Sequence, residues 1–404
     1  MLGMDIDFGK RLGMGCLRLP LLNPADQTSI DYKTLEKNID RMLANGYKYF
    51  DTSHIYHDGY SEIALGKALV DRHPRDSFLL STKLPIKFMN SADDLEKVFA
   101  RQLENCHVDY FDFYLIHAIS TDGYKKCKEW GVFEFLQRKQ QEGKFREFGV
   151  SFHDTPEFLD NLLTEHPEIS FVVAQINYLD WESPATRSKE LYEVCMKHEK
   201  PIVVMEAIKG GNLVNVPADA AKLMKEYNPD ASLASWALRF TGSLPGVRVT
   251  LAGMPTEEFC LDDMKTFDDF KPLNDEEYAI LDKVVDIITK KVPIPCTYCR
   301  YCESGCPKKI DIPDYFSMYN SMKMVDFAEG NFVNTEGNLY AHTLEKGRGA
   351  ACECIRCGKC EKVCPQSLPI MKYLEEYIAG ELEETLPPDV KDEVKKRAFK
   401  PKNA

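Results

Sequence analysis

Apolar runs of six to eight residues recur along the first 270 positions, separated by stretches whose apolar residues return every third or fourth place. The runs are LGMGCLR (12–18), YKYFDTS (47–53), SFLLSTK (77–83), YFDFYLIH (110–117), REFGVS (146–151), FVVAQIN (171–177), PIVVMEA (201–207) and RVTLAG (248–253). Most lack strict alternation, as expected of parallel strands covered on both faces. Between them lie helical patterns such as YKTLEKNIDRMLANG, with a glycine stop, and SADDLEKVFARQLENC, which opens on serine and early acids. Eight strands with helical crossovers in about 260 residues match the count and size of a (β/α)8 TIM barrel. An open doubly wound sheet would carry G-x-G-x-x-G after an early strand. LGMGCLRL offers only the first two glycines.

The pattern changes after residue 273. NDEEYAILDKVVDIITKKV (274–292) reads as a capped connector helix stopped by Pro293 and Pro295. The rest, 294–404, predicts a mainly α, cysteine-rich ferredoxin-like domain. The stretch between its two cysteine runs has no strong periodicity, and KDEVKKRAFKPKNA at the end reads as a frayed helix and a disordered terminus.

Composition adds exclusions. The net charge of −13 argues against nucleic acid and anionic membrane as partners. No apolar run nears the roughly 20 residues of a membrane helix, and MLGMDIDFGK has no signal-peptide core. A cytoplasmic setting follows as the expectation. Of fourteen cysteines, five (Cys16, Cys106, Cys127, Cys195, Cys260) are scattered before residue 290, as buried free thiols would be. Nine crowd between Cys296 and Cys364, which in a reducing compartment points to metal rather than disulfides.

CTYCRYCESGCP (296–307) and CIRCGKCEKVCP (354–365) repeat the spacing C-x2-C-x2-C-x3-C-P. Three cysteines two residues apart wrap three corners of a cubane, and the fourth is directed to the other cluster. One [4Fe–4S] cluster then takes Cys296, Cys299, Cys302 and Cys364, and the second takes Cys354, Cys357, Cys360 and Cys306. Such crossed ligation would make folding of the tail depend on iron. Structural zinc favours pairs of C-x-x-C and fits this spacing poorly. Cys352 is a surplus thiol. With every iron capped by cysteine, the clusters carry single electrons and leave organic chemistry to the barrel.

Catalytic groups of such barrels sit at the C-terminal ends of strands. Those ends supply Asp51, Lys83 and His117, with Tyr56 five residues beyond Asp51. Singly, each has an ordinary reading: a helix cap, a rim charge, a satisfied core histidine, a packed aromatic. Together they make a proton donor, in which a nearby ammonium lowers the pKa of a phenol, Asp51 holds Lys83, and His117 orients a carbonyl oxygen. His54, His57 and His153 flank the same region, most simply as rim residues.

Through FDTSHIYHDGYSEIALGKAL, STK, YLIH, GVS, AQINY, GGNL and ALRF, residues 10–270 resemble the aldo/keto reductase superfamily. With its tail, the chain is similar to the iron–sulfur branch of that family. The resemblance implies a tetrad of Asp51, Tyr56, Lys83 and His117, with Ser151 and Gln175 on a nicotinamide carboxamide and Gly211 over the pyrophosphate. Three departures stand out. Phe152 follows GVS where the family has Asn, Met205 takes the place of the stacking Tyr, and Gly253 and Phe259 replace the Lys and Arg that bind a 2′-phosphate. NAD is therefore favoured over NADP. A hydride donor and one-electron clusters exchange poorly, so a flavin such as FMN is a second expectation for the altered pocket.

The function expected is oxidoreduction of a small carbonyl or its alcohol, with electrons from NAD(P)H or through the clusters, and a redox protein such as a ferredoxin as partner. An activated C=C is a variant substrate. A non-catalytic redox or iron sensor, or clusters that merely staple the tail, are the alternatives.

Overall fold

All eight apolar runs form strands: β1 (Leu12–Gly15), β2 (Tyr49–Asp51), β3 (Leu79–Leu84), β4 (Phe111–Ile119), β5 (Phe145–Phe152), β6 (Phe171–Gln175), β7 (Ile202–Met205) and β8 (Val247–Ala252). In the computed structural model each pairs in parallel with the next, and β8 closes onto β1. The structure describes residues 6–24, 26–183, 186–290, 293–294, 296, 300, 302–323, 335–364 and 366–398. The chain divides into two compact units, Met1–Lys209 with Ala231–Glu277, and Gly210–Asp230 with Tyr278–Ala404.

Side chains two apart on a strand share a face, and this places the site. Tyr49, Leu79, Phe113, Phe171, Val173, Val203, Val249 and Leu251 fill the barrel interior, with Phe8 stacked on Phe113 at 5.3 Å. Gly13 and Gly149 complete the column where larger side chains do not fit. A Cβ on Gly13 would lie 2.8 Å from Val249, and one on Gly149 2.7 Å from Phe171. Continuing the inward columns in steps of two leads to Asp51, to Lys83 by way of Ser81, to His117 by way of Leu115, and to Ser151, Gln175, Met205 and Gly253.

The surrounding helices follow their caps. Tyr32–Ala44 starts at Asp31, whose carboxylate accepts from Thr34 N–H. The serine-led pattern begins its helix later, at Asp94, because Asp94 turns back to accept from the amides of Asn90 and Ser91. Asp275–Thr289 opens with reciprocal bonds between Asn274 and Glu277. Pro295, one of its two expected stops, lies outside the described residues. No helix among the described residues is long and apolar enough to cross a membrane.

The second unit has its own core, in which Tyr315 stacks on Tyr340 at 4.0 Å and Asn320 clamps both backbone groups of Ile294. Two helices, Ile312–Lys323 and Thr335–Glu345, occupy the stretch that lacks periodicity. The first buries Tyr315, Phe316, Tyr319, Asn320 and Met322. A helix covered on so many sides has no polar stripe to reveal it. Ile370–Thr385 forms a continuous helical run that widens over Leu374–Leu382. Pro388–Arg397 forms the expected last helix. The terminus assigned to disorder lies, from residue 399, outside the described residues.

Candidate functional site

At the top of the barrel interior, Lys83 Nζ lies 2.5 Å from Asp51 Oδ2 and donates to the Thr52 carbonyl at 2.7 Å. Both partners are buried, at 1% and 3% exposure. Ser81 donates to the other Asp51 oxygen at 3.0 Å. This pair is set by register, since Asp51 faces Ser81 across β2 and β3 and Lys83 follows two residues later.

Tyr56 stands in the tight turn after β2, and the Lys83 ammonium lies 4.8 Å from its ring centre. Burial pushes the phenol above its ordinary pKa, and Lys83 pulls it back only in part, with Asp51 and Glu206 opposing. The net shift is therefore upward rather than the lowering expected from Lys83 alone. Desolvation would likewise discharge Lys83, but attraction to Asp51 and Tyr56 outweighs it and holds the amine charged. The arrangement thus keeps Tyr56 a hydroxyl and Lys83 a cation.

His117 meets Tyr56 edge-on, with ring centres 5.8 Å apart. Burial, then Lys83, depresses its pKa well below the usual imidazole value, so it is neutral. Its Nδ1 is 3.0 Å from Ser53 Oγ. When Ser53 donates, Nε2 carries the proton and can donate to a substrate oxygen.

The histidines beside Tyr56 differ. His57 is buried, accepts from Leu19 N–H at 3.0 Å and donates to the Gln27 carbonyl at 3.0 Å. It pins the loop after β1, and burial lowers its pKa. His54 is partly exposed and reaches the buried Glu62 at 3.3 Å. His153 is exposed.

Glu62 went unsingled in the sequence, although it lies within the family-like motif. It accepts from Thr82, Gln102 and Asn105 as well as His54, and Gln102 also donates to the Lys83 carbonyl at 3.0 Å. A fully buried carboxylate thereby braces the backbone that carries Lys83. Partners so far apart in sequence leave no local signal.

On the opposite side, Ser151 is buried and Gln175 donates to Asp180 at 3.1 Å. Asp180 also pairs with Lys209 at 2.9 Å and accepts from Asn177. Burial opposes its charge, but Lys209 and these amides hold its pKa below the usual carboxylate range. The Gln175 amide nitrogen is thus tied to a charged Asp180. Phe152 points the other way and stacks on Phe158 at 5.6 Å. Met205 packs at the head of the interior column. Arg18 lies along Gly253, where a Cβ would come within 3.0 Å of the Arg18 Cβ. Gly211 belongs to the second unit, in a turn where its φ of 95° suits glycine.

In the second unit an isolated parallel bridge, Ile310 to Gly349, joins the two cysteine runs between Cys306 and Cys354. Two cavities flank Ile312. One is lined by Cys306, Cys354, Cys357 and Cys360. The other is lined by Cys296, Cys302 and Cys364. Cys299 lies outside the described residues. Thiols from both runs line each cavity, the arrangement that crossed ligation of two clusters requires. The donor sets therefore fit cubane clusters. Cys352 lines neither, and its thiol donates to the Val394 carbonyl at 3.4 Å.

Comparison with known proteins accords with this geometry. A model described as "Aldo/keto reductase family" matches residues 11–286, and one described as "4Fe-4S dicluster domain" matches 295–368. An aldo-keto reductase of Mycobacterium sp. (strain MCS) is 30% identical over 160 residues, 39% of this chain and 52% of that protein. The glyoxal reductase of Bacillus subtilis (strain 168) is 29% identical over the same lengths. The chain thus spans about half the length of the curated relatives it matches. Among solved structures, an aldo-keto reductase from Klebsiella pneumoniae in complex with NADPH shares the fold with a TM-score of 0.55 and 20% identity, over 68% of this chain and 90% of its own. The holo form of an aldo-keto reductase from Bacillus halodurans gives 0.53 and 23%, over 68% and 91%. With a closed eight-stranded barrel and a family match over more than half its length, this chain belongs to the aldo/keto reductase family and carries a 4Fe-4S dicluster domain that follows the barrel in sequence.

Proposed function

We propose that the protein is an oxidoreductase that reduces a small carbonyl compound, or oxidises the alcohol, with Tyr56 as the general acid or base. The observation that carries this reading is the buried Asp51–Lys83 pair set against Tyr56, with a neutral His117 beside it. Reduction of C=O takes two electrons and two hydrogens: one arrives on carbon as hydride, the other on oxygen as a proton. Tyr56 gives the oxygen its proton, Lys83 steadies the phenolate left behind, and His117 orients the oxygen before transfer.

A nicotinamide, when bound, supplies the hydride. Ser151 and Gln175 are assigned to its carboxamide and Met205 to its ring. NAD is favoured over NADP. Gly253 and the exposed Phe259 bring no charge to a 2′-phosphate, and nearby Glu257 already engages Lys37 and Arg41. The absent pair is worth about 1.5–3 kcal/mol per charge-assisted bond.

The cysteine cavities are assigned two [4Fe–4S] clusters with crossed ligation, which when bound pass single electrons. Functionally we divide the chain into barrel (1–273), connector (274–293) and ferredoxin-like tail (294–404). A cytoplasmic setting and a redox protein partner complete the reading. A flavin such as FMN in the barrel is a second reading, favoured by the need to convert between one and two electrons and by Met205 in place of a stacking aromatic.

Anaerobic purification with iron, sulfide and flavin analysis, then carbonyl turnover by wild type and Tyr56→Phe, tests the whole. About eight irons and a fall in turnover of roughly 10²–10⁴ are expected. Unchanged turnover would exclude Tyr56 as the proton donor. A protein that binds NADH yet turns over nothing would favour the sensor alternative.

A further inference from the structure

We propose that the face of the second unit around Cys357 is the docking surface for an acidic one-electron carrier protein, so that electrons enter or leave through the cluster assigned to Cys306, Cys354, Cys357 and Cys360. This rests on the cluster assignment above.

Cys357 is exposed, whereas Cys360 of the same cavity and Cys302 of the other are buried. A redox centre exchanges electrons with a partner where the protein covering it is thinnest, and among the described cluster cysteines the exposed one is Cys357. The charge around it is opposite to that of the whole chain. The run 354–364 holds Arg356, Lys359 and Lys362 against Glu361 alone, and Lys308 and Lys309 follow Cys306, in a protein of net charge −13.

These charges are not all spoken for. Arg356 is neutralised by Glu375, and Lys308 lies 3.8 Å from Glu353. Lys309, Lys359 and Lys362 are exposed and have no carboxylate within ion-pair distance among the described residues. Glu361, the one acid of the run, accepts from the Met371 amide at 2.9 Å. Lys308 lines the cavity, and Lys359 approaches Gly305 on the other cysteine run, so both loops contribute cations to one rim. Val363, 47% exposed, adds an apolar contact beside them.

The other cavity lacks this character. Its Arg300 is held by Glu303, Asp311 and Asp314, at 2.6, 3.6 and 2.9 Å. A small apolar spot with a charged rim suits a weak, fast encounter, in which complementary charge acts on the association rate. An acidic carrier is the partner that gains from this rim and from little else on an acidic protein.

The test is anaerobic stopped-flow of the cluster-loaded full-length protein with a strongly acidic reduced ferredoxin, and binding of the oxidised ferredoxin by interferometry. Wild type is compared with the triple variant Lys309→Glu, Lys359→Glu, Lys362→Glu. At low ionic strength the triple variant is expected to react and bind about tenfold or more slowly, and salt should slow wild type by a similar factor. Photoreduction by a neutral deazaflavin, and the iron and sulfide content, should match in the two proteins. Should the triple variant lose iron, Lys362→Glu alone, outside the cavity lining, is expected to show the same trend at about threefold. Rates indifferent to salt and to these variants, or a cationic carrier that outcompetes the acidic one, would overturn the docking surface. Wild type without iron would instead overturn the cluster assignment itself.

Discussion

Replacing Asp51 by Asn would leave Lys83 buried with only the Thr52 carbonyl and Tyr56 near its ammonium. Stranding one member of a buried pair costs about 3–5 kcal/mol. An unfolding free energy from urea titration lower by that amount, with turnover lost, is expected for Asp51→Asn. A stable but inactive variant would mean that the pair serves chemistry alone. The pH dependence follows from the raised phenol. Tyr56 stays protonated through neutrality, so the rate of carbonyl reduction should be level from pH 7 to 9 and fall only toward pH 10 and above. His117 should contribute no break near pH 6.5, because its pKa is depressed well below that value. The same depression has a consequence for stability. A histidine neutral in the fold and protonated when unfolded contributes stability that is present above about pH 6.5 and lost as the pH falls below it. Urea midpoints at about pH 7.5 and 5.5 should differ in that direction, with His57 contributing likewise. These residues were legible in sequence because they sit at strand ends. The upward net shift of Tyr56 was not, since desolvation depends on what the fold packs around the ring.

The strands are the most legible elements: all eight apolar runs became strands, trimmed or extended by one to three residues. Helices were legible where one face is polar, as in Tyr32–Ala44, and silent where burial surrounds them, as in Ile312–Lys323. The inward glycines of β1 and β5 give an element-scale prediction. Gly149→Ala would drive a methyl into Phe171, whose backbone oxygen and ring both lie 2.7 Å from the added Cβ. Overpacking of this kind costs about 1–3 kcal/mol. Thermal melting should show it, with the iron content of the second unit unchanged. A neutral outcome would mean that β5 and β6 slide apart freely.

At the scale of the whole molecule, the two units should differ in their need for metal. The barrel has a continuous apolar interior of its own. The second unit packs its core around two thiol-lined cavities. Removal of iron by a chelator should therefore leave the barrel's β signal in circular dichroism and abolish much of the tail's helix signal. Crossed ligation makes a sharper prediction. Cys364→Ser should damage the cluster of the first cysteine run, and Cys306→Ser that of the second, each with loss of about four irons. EPR of the reduced variants distinguishes which cluster remains. Loss of the cluster in the mutated run itself would refute the crossing.

From the sequence alone came whatever is written in local spacing: the barrel from its apolar periods, three strand-end residues with Tyr56 in the turn beyond, and the 4Fe-4S domain from cysteines at fixed intervals. Tertiary structure alone decided what depends on distant partners. It made Glu62 a brace, turned Phe152 onto Phe158, aimed Gln175 through Asp180 and Lys209, and drew cysteines of both runs around each cavity. The reason is physical. Periodicity and ligand spacing are properties of neighbours along the chain, whereas burial, charge pairing and cavity lining are set by groups that only folding brings together.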